Sequence, residues 1–112
     1  MTGLIQVTTA TEQRDAAIEL AGDAVRRRLA ASAQIIGPVV SVFWHLGEYG
    51  TGEEWQVVLT TTEGGYAELE AHLLENHPWS NPQITAVPVV AASAACVDWA
   101  REAVEADYES AT

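Results

Sequence analysis

The sequence predicts an α+β domain of the ferredoxin-like kind, a βαββαβ antiparallel four-stranded sheet with an additional C-terminal helix. Three observations predict it. Short runs rich in β-branched residues alternate with stretches whose apolar residues recur at helical spacing. The run Val39 to Trp44 is followed by a glycine-rich segment and then by a second apolar run, so the two middle strands are consecutive. Two βαβ halves in this order close into one sheet with both crossover helices on the same face. The 112 residues fit a single domain, 1–112, large enough to bury a core without a disulfide or metal staple.

Leu4 to Val7 reads as the first buried strand. Thr9-Ala10-Thr11-Glu12 offers a capping box, Thr9 receiving a helix amide while Glu12 reaches back. Ile18, Ala21, Val25 and Leu29 then mark the apolar stripe of the first helix. Arg26, Arg27 and Arg28 gather in its last turns, where positive charge complements the helix dipole, and an anion site is the alternative use. Ala33 to Leu46 reads as a long strand with a bulge or bend at Gly37-Pro38. Gly47 to Gly52 supplies a hairpin turn, and the return strand runs through Trp55 to Leu59 into Thr60-Thr61-Thr62. After Gly64-Gly65, the residues Tyr66, Leu69 and Leu73 mark a second helix that must stop near Pro78. Ile84 to Val90 is a last strand, placed at an edge or irregular position by Pro88. Ser93 caps a third helix carrying Cys96, Trp99, Ala100 and Ala103 on one side, and the polar end from Glu105 to Thr112 is expected to fray.

Alternation along the long strand puts Val40, Val42, Trp44 and Leu46 on one side and Val39, Phe43 and His45 on the other. Both sides are apolar, so both need cover. The third helix can supply part of it and further subunits the rest, which predicts an oligomer.

Five basic and sixteen acidic residues give a formal charge of -11. Such a surface repels nucleic acid phosphates and anionic lipid headgroups, which argues against both as partners. No apolar run approaches the about 18 residues of a membrane span. The single cysteine, Cys96, forms no intrachain disulfide and fits a reducing compartment. The first residues start a strand pattern without a basic, apolar and cleavable signal, so the expected location is cytoplasmic.

Several segments together resemble the CutA family. Arg28-Leu29-Ala30-Ala31-Ser32-Ala33 is similar to its Leu-Ala-Ala-Cys segment, and Val42-Phe43-Trp44-His45 lies where the family has Ile-Tyr-Arg-Trp or similar. Glu53-Glu54 and the run Val57 to Thr62 resemble its acidic turn and Lys-Thr-Thr strand end. Asn76 to Ile84 resembles His-Pro-Tyr-x-x-Pro-x-Ile, Ala86-Val87-Pro88-Val89 its apolar-Pro-Val strand, and Trp99 the tryptophan of its final helix. The likeness covers about residues 4 to 105. It implies a homotrimer in which the long hairpin pairs with a neighbour's sheet, and a link to divalent metal tolerance, copper above all. Ser32 stands in place of the family's frequent cysteine and Thr60 in place of its lysine, which removes the soft thiolate that favours Cu(I).

The resemblance leaves His77 as the metal-associated position. Its other reading is structural, a histidine capping the last carbonyls at a helix exit. A single imidazole suits Cu(II) or Zn(II) only weakly, with ligands completed by another subunit, and no cofactor is required. Trp44, His45, Glu54 and Trp79 are the candidates for an interface or ligand pocket, since tryptophans anchor interfaces and a histidine on a strand serves the same end. Glu54 in the turn pair has plain solvation as its ordinary role. Cys96 is expected to be a buried, inert thiol in the stripe with Trp99. No nucleophile with a base at recognisable spacing and no phosphate-binding glycine loop appears, so enzyme activity is not expected. The function that results is a CutA-like homotrimer, implicated in divalent metal tolerance, that binds cations weakly near its subunit interfaces. Its alternative is a metal-independent trimeric small-ligand sensor or protein scaffold with the architecture of PII signalling proteins.

Overall fold

The computed structural model describes the backbone of residues 2–111 and the side chains through Glu105. Its elements are β1 (Leu4–Thr11), α1 (Arg14–Arg26), β2 (Ser32–His45), β3 (Glu48–Thr62), a single 3₁₀ turn at Glu63–Gly65, α2 (Tyr66–Asn76), β4 (Thr85–Pro88) and α3 (Ala94–Ala111). The sheet order is β2-β3-β1-β4 with every neighbouring pair antiparallel, the ferredoxin-like arrangement with one added helix.

The core lies between the sheet and the two crossover helices. Ile5 and Val7 of β1 and Val57 and Leu59 of β3 meet Ala17, Leu20, Ala21 and Ala24 of α1 and Leu69 and Leu73 of α2. Leu69 and Leu73 are completely buried, each contributing roughly 1.5–3 kcal/mol by leaving water. Small residues at positions 17, 21 and 24 let α1 lie close to the strands. Ile18, expected on the buried stripe, is 42% exposed, because the buried face runs through Ala17, Leu20 and Ala24 instead.

The capping box does not form. Strand β1 continues through Thr11, held by a full register against β3 from Leu4↔Thr62 to Thr11↔Trp55. Ladder pairing outweighs one side-chain cap, so α1 begins only at Arg14, with Gln13 as an N-cap that makes no side-chain bond. The Thr11 hydroxyl donates to the Gln13 carbonyl at 2.8 Å, and Glu12 is left free. At the other end Arg28 takes a left-handed φ of 60°, and the amides of Arg28 and Leu29 bond the carbonyls of Val25 and Ala24. This pattern closes the helix at Arg26, three residues before Leu29, which packs on the core from outside it. Arg26 pairs with Asp23 at 2.8 Å and the Arg28 guanidinium donates to the Ala103 carbonyl of α3, so two of the three arginines are bound within the chain.

Strands β2 and β3 form a two-stranded arm. The turn is tighter than the three glycines suggest: Leu46 and Gly47, both at positive φ, make the two-residue reversal, and β3 begins at Glu48. Gly50 lies opposite Phe43 in the ladder, and a Cβ on it would come within 2.8 Å of the Phe43 ring. The glycine therefore seats an aromatic side chain within a strand. A bulge between Ile36 and Val39 falls at Gly37-Pro38 as expected. Helix α3 starts with the Cys96 amide bonded to the Ser93 hydroxyl and buries Ala100. Cys96 itself is exposed, contrary to the buried thiol expected: it lies in the first turn of α3, one turn before the buried Ala100 on the same side of the helix. The helix continues to Ala111, past the Glu105 at which fraying was expected, and Thr112 lies outside the described residues.

Candidate functional site

Beyond the Thr11↔Trp55 pair, β3 has no neighbour but β2, so residues from Glu48 to Glu54 and their partners stand clear of the rest of the sheet. Register fixes which side chains share a face. Val39, Ser41, Phe43 and His45 share one face with Glu54, while Val40, Val42, Trp44 and Tyr49 share the other. On that second face Val40, Val42 and Trp44 are 75%, 62% and 76% exposed, with Trp44 and Tyr49 in an edge-to-face contact at 6.1 Å.

The first face looks into a cleft of about 820 Å³ that lies between the arm and residues 78–83. All four residues proposed for an interface or pocket, Trp44, His45, Glu54 and Trp79, line it, Trp44 from the rim because its side chain belongs to the opposite face. Glu54 is half-buried, and one carboxylate oxygen accepts a hydrogen bond from the Ser41 hydroxyl at 2.8 Å. Glu12, released from its capping role, adds a second carboxylate. No lysine or arginine is among the lining residues, and among the described residues the one ion pair is Arg26–Asp23, far along α1. Ser41 and Glu12 escaped the sequence reading. Ser41 carried no motif, and Glu12 fitted a different local one.

His77 sits under this cleft and not in it. It is 8% exposed at the end of α2, where its amide bonds the Leu73 carbonyl. The ring nitrogen Nε2 lies 2.8 Å from the Ala10 carbonyl oxygen, which can only accept, so Nε2 carries the proton. Nδ1 accepts the Trp79 amide at 3.0 Å, and the two rings stand 5.2 Å apart. The imidazole thus ties the loop that carries Trp79 to β1, in place of capping the carbonyls of its own helix. Burial keeps it below the ordinary histidine value, partly offset by the bond to Ala10. Both nitrogens are engaged, so coordination there would have to displace one of these bonds. Among the described residues no three His, Cys, Asp or Glu side chains stand together as a metal site, and one chain alone does not make a tight one.

The fold and this site define an α+β domain with a projecting hairpin and an acidic, aromatic cleft at its base. The family model of the CutA1 divalent ion tolerance proteins matches residues 5–103, and the chain belongs to that family. It is similar to the divalent-cation tolerance protein CutA of Thermus thermophilus, 28% identical over 102 residues that cover 91% of this chain and 97% of that one. The chloroplastic protein CutA 1 of rice is 27% identical over 95 residues, covering 85% of this chain, which spans only 54% of the rice protein's length. Among solved structures, CutA from Synechococcus elongatus superposes with a TM-score of 0.88 at 28% identity, covering 93% of this chain and 92% of that one. The family takes its name from ion tolerance and not from a reaction. No helix among the described residues is long and apolar enough to cross a membrane.

Proposed function

We propose that the chain acts as a homotrimeric, cytoplasmic divalent-cation tolerance protein that holds cations weakly at or near its subunit interfaces and catalyses no reaction. The observation that carries this reading is the bare arm. An isolated two-stranded ribbon is marginal in water, and its Val40, Val42, Trp44 and Tyr49 face is left uncovered by the rest of the chain. An apolar patch of this kind marks a protein contact. The outer edges of β2 and β4 are also unpaired, which favours strand addition between copies. The number of copies, three, follows from the resemblance, as does copper as the cation. Imidazole and carboxylate donors suit Cu(II) or Zn(II) better than Cu(I). With His77 engaged, the donors left open on the cleft are His45, Glu54 and Glu12, and a neighbour's side chains complete any site.

Light scattering should give about three chain masses, and Trp44→Ala should weaken assembly by on the order of 2 kcal/mol, as an interface anchor does. A monomer at every concentration refutes the trimer. Calorimetric titration with Cu(II), Cu(I) and Zn(II) tests the cations, and absence of heat with all three refutes that half. The size of the cleft, about 820 Å³, favours a second reading, a small-ligand sensor or scaffold that needs no metal.

A further inference from the structure

We propose that His72 is a proton-operated switch built into the seam between α1 and α2: uptake of a proton there opens the last turn of α2, where the chain leaves the helix for the loop that carries Trp79.

The ring is held where a charge does not fit. His72 is 6% exposed, and the side chain of Asn76 fixes its tautomer. Nδ2 of Asn76 donates to the His72 carbonyl oxygen at 2.9 Å, so this end of the amide is the NH₂ group. The same nitrogen lies 3.2 Å from Nδ1 of the ring, which therefore accepts. The neutral ring carries its proton on Nε2, which is buried and bonds no acceptor among the described residues.

A second proton has to go on Nδ1, where it meets a donor. Turning the Asn76 amide end for end would give Nδ1 an acceptor but set two oxygens against each other at the His72 carbonyl. Neither nearby carboxylate relieves the conflict. Asp23 on α1 and Glu75 on α2 favour the charge, but neither bonds the ring, and Asp23 is paired with Arg26 at 2.8 Å. Burial first, and then the Arg27 guanidinium on α1, oppose the charge and hold His72 below the ordinary histidine value of 6.5.

The conflict is local, and so is its release. Asn76 is the last residue of α2, and its side chain clasps the ring and the carbonyl one turn back. In the same turn the His77 amide bonds the Leu73 carbonyl, and the His77 ring anchors the loop to β1. Opening this turn breaks the clasp and lets the imidazole reach water. The open state takes up its proton near pH 6.5 and the closed state only at lower pH. Opening is therefore independent of pH above about 6.5 and grows below it, by up to tenfold per pH unit for one proton, until the lowered closed-state value is reached. All the parts belong to α1 and α2 of one chain, so the switch does not depend on how copies meet at the arm.

The test is amide hydrogen exchange by NMR on the purified native protein from about pH 7.5 to 5, together with the titration curves of its imidazoles. Protection factors remove the intrinsic pH dependence of exchange. Protection of the Asn76 amide should fall by up to tenfold per pH unit below about pH 6.5, and His72 should titrate below that value. The fall should be kept in His77→Gln and lost in His72→Gln. The Leu20 amide, in the core of α1, reports unfolding of the whole domain and should stay better protected than Asn76 throughout. Asn76→Asp keeps the ring but offers it an acceptor, so it should raise the His72 titration above that of wild type and remove the fall. A wild-type His72 that titrates at about 6.5 or higher overturns the proposal. So do level protection at Asn76, a fall that persists in His72→Gln, protection at Leu20 no greater than at Asn76, or an Asn76→Asp protein in which His72 titrates no higher than in wild type.

Discussion

Replacing His77 by alanine removes a tether between two elements that the sequence separates by 67 positions. Two hydrogen bonds are lost, Nε2–H to the Ala10 carbonyl at 2.8 Å and the Trp79 amide to Nδ1 at 3.0 Å, each worth about 1 kcal/mol net. The ring is 8% exposed, so its removal also leaves unfilled space beside Trp79. Ala10 and Trp79 are only half-buried, and water satisfies part of what the ring released. The sum is about 3 kcal/mol, which in a domain of this size lowers the melting temperature by on the order of 10 °C. Far-ultraviolet circular dichroism during heating reads the loss, and tryptophan fluorescence reports the freed loop through Trp79. His77→Gln, which keeps a donor and an acceptor, should recover part of it. A His77→Ala protein that melts within about 2 °C of wild type refutes the tether. If that variant also loses the heat of cation binding, His77 is a ligand and its two hydrogen bonds have been misassigned.

The other outcomes test the surroundings. Burial holds both His72 and His77 below the ordinary histidine value of 6.5, so the unfolded chain takes up protons that the folded one resists. Stability is then complete above about pH 6.5 and falls as pH drops through the lowered folded values. Urea denaturation as a function of pH measures the slope, which His72→Gln with His77→Gln should flatten, and constant stability from about pH 7 to 5 would contradict it. Gly37→Ala should cost about 1–3 kcal/mol, because its Cβ would lie 2.8 Å from the Trp55 ring and 3.1 Å from the Glu54 carbonyl oxygen. Gly64→Ala, with nothing within 4 Å, is the matched control, and equal denaturation midpoints would remove the steric reasoning.

Much of the fold was legible because its signals are local and mutually consistent. Alternation in β2, the Gly37-Pro38 bulge, the Leu69 and Leu73 stripe and the Ser93 cap each appear where the residues place them. The misreadings share one physical cause, a local motif overridden by a longer-range contact. Thr9 to Glu12 spell a capping box, yet the β3 ladder claims Thr9 and Thr11. Gly50 and Gly52 spell a turn, yet Phe43 needs the space beside them within a strand. The cleft was half legible. Its aromatic and acidic members stood out by type, and the run Asn76 to Ile84 pointed to the loop. What no spacing could reveal was the division of the arm into two faces with different neighbours. Nor could spacing reveal that His77 spends both nitrogens on the backbone.

The two departures from the family pattern, read separately in the sequence, are one place in the structure. Ser32 opens β2 directly opposite Thr60 in the β3 ladder, so their side chains share a face with Cβ atoms about 4.5–5.5 Å apart. Where the resemblance expects a thiol beside an ammonium, this chain has two neutral hydroxyls. A neighbouring positive charge lowers a thiol's pKa and raises its thiolate fraction, and thiolate is the donor Cu(I) prefers. Losing either member alone would leave an unaided thiol or an unpaired lysine, whereas losing both leaves a neutral pair that a half-buried strand tolerates. Ser32→Cys with Thr60→Lys, in a background where the exposed Cys96 is serine, should therefore behave differently from Ser32→Cys alone. The paired variant should react with a disulfide reagent at a lower pH midpoint and take up Cu(I) that the wild type leaves in solution. Identical pH profiles for the two variants would mean that Ser32 and Thr60 do not face one another where β2 begins.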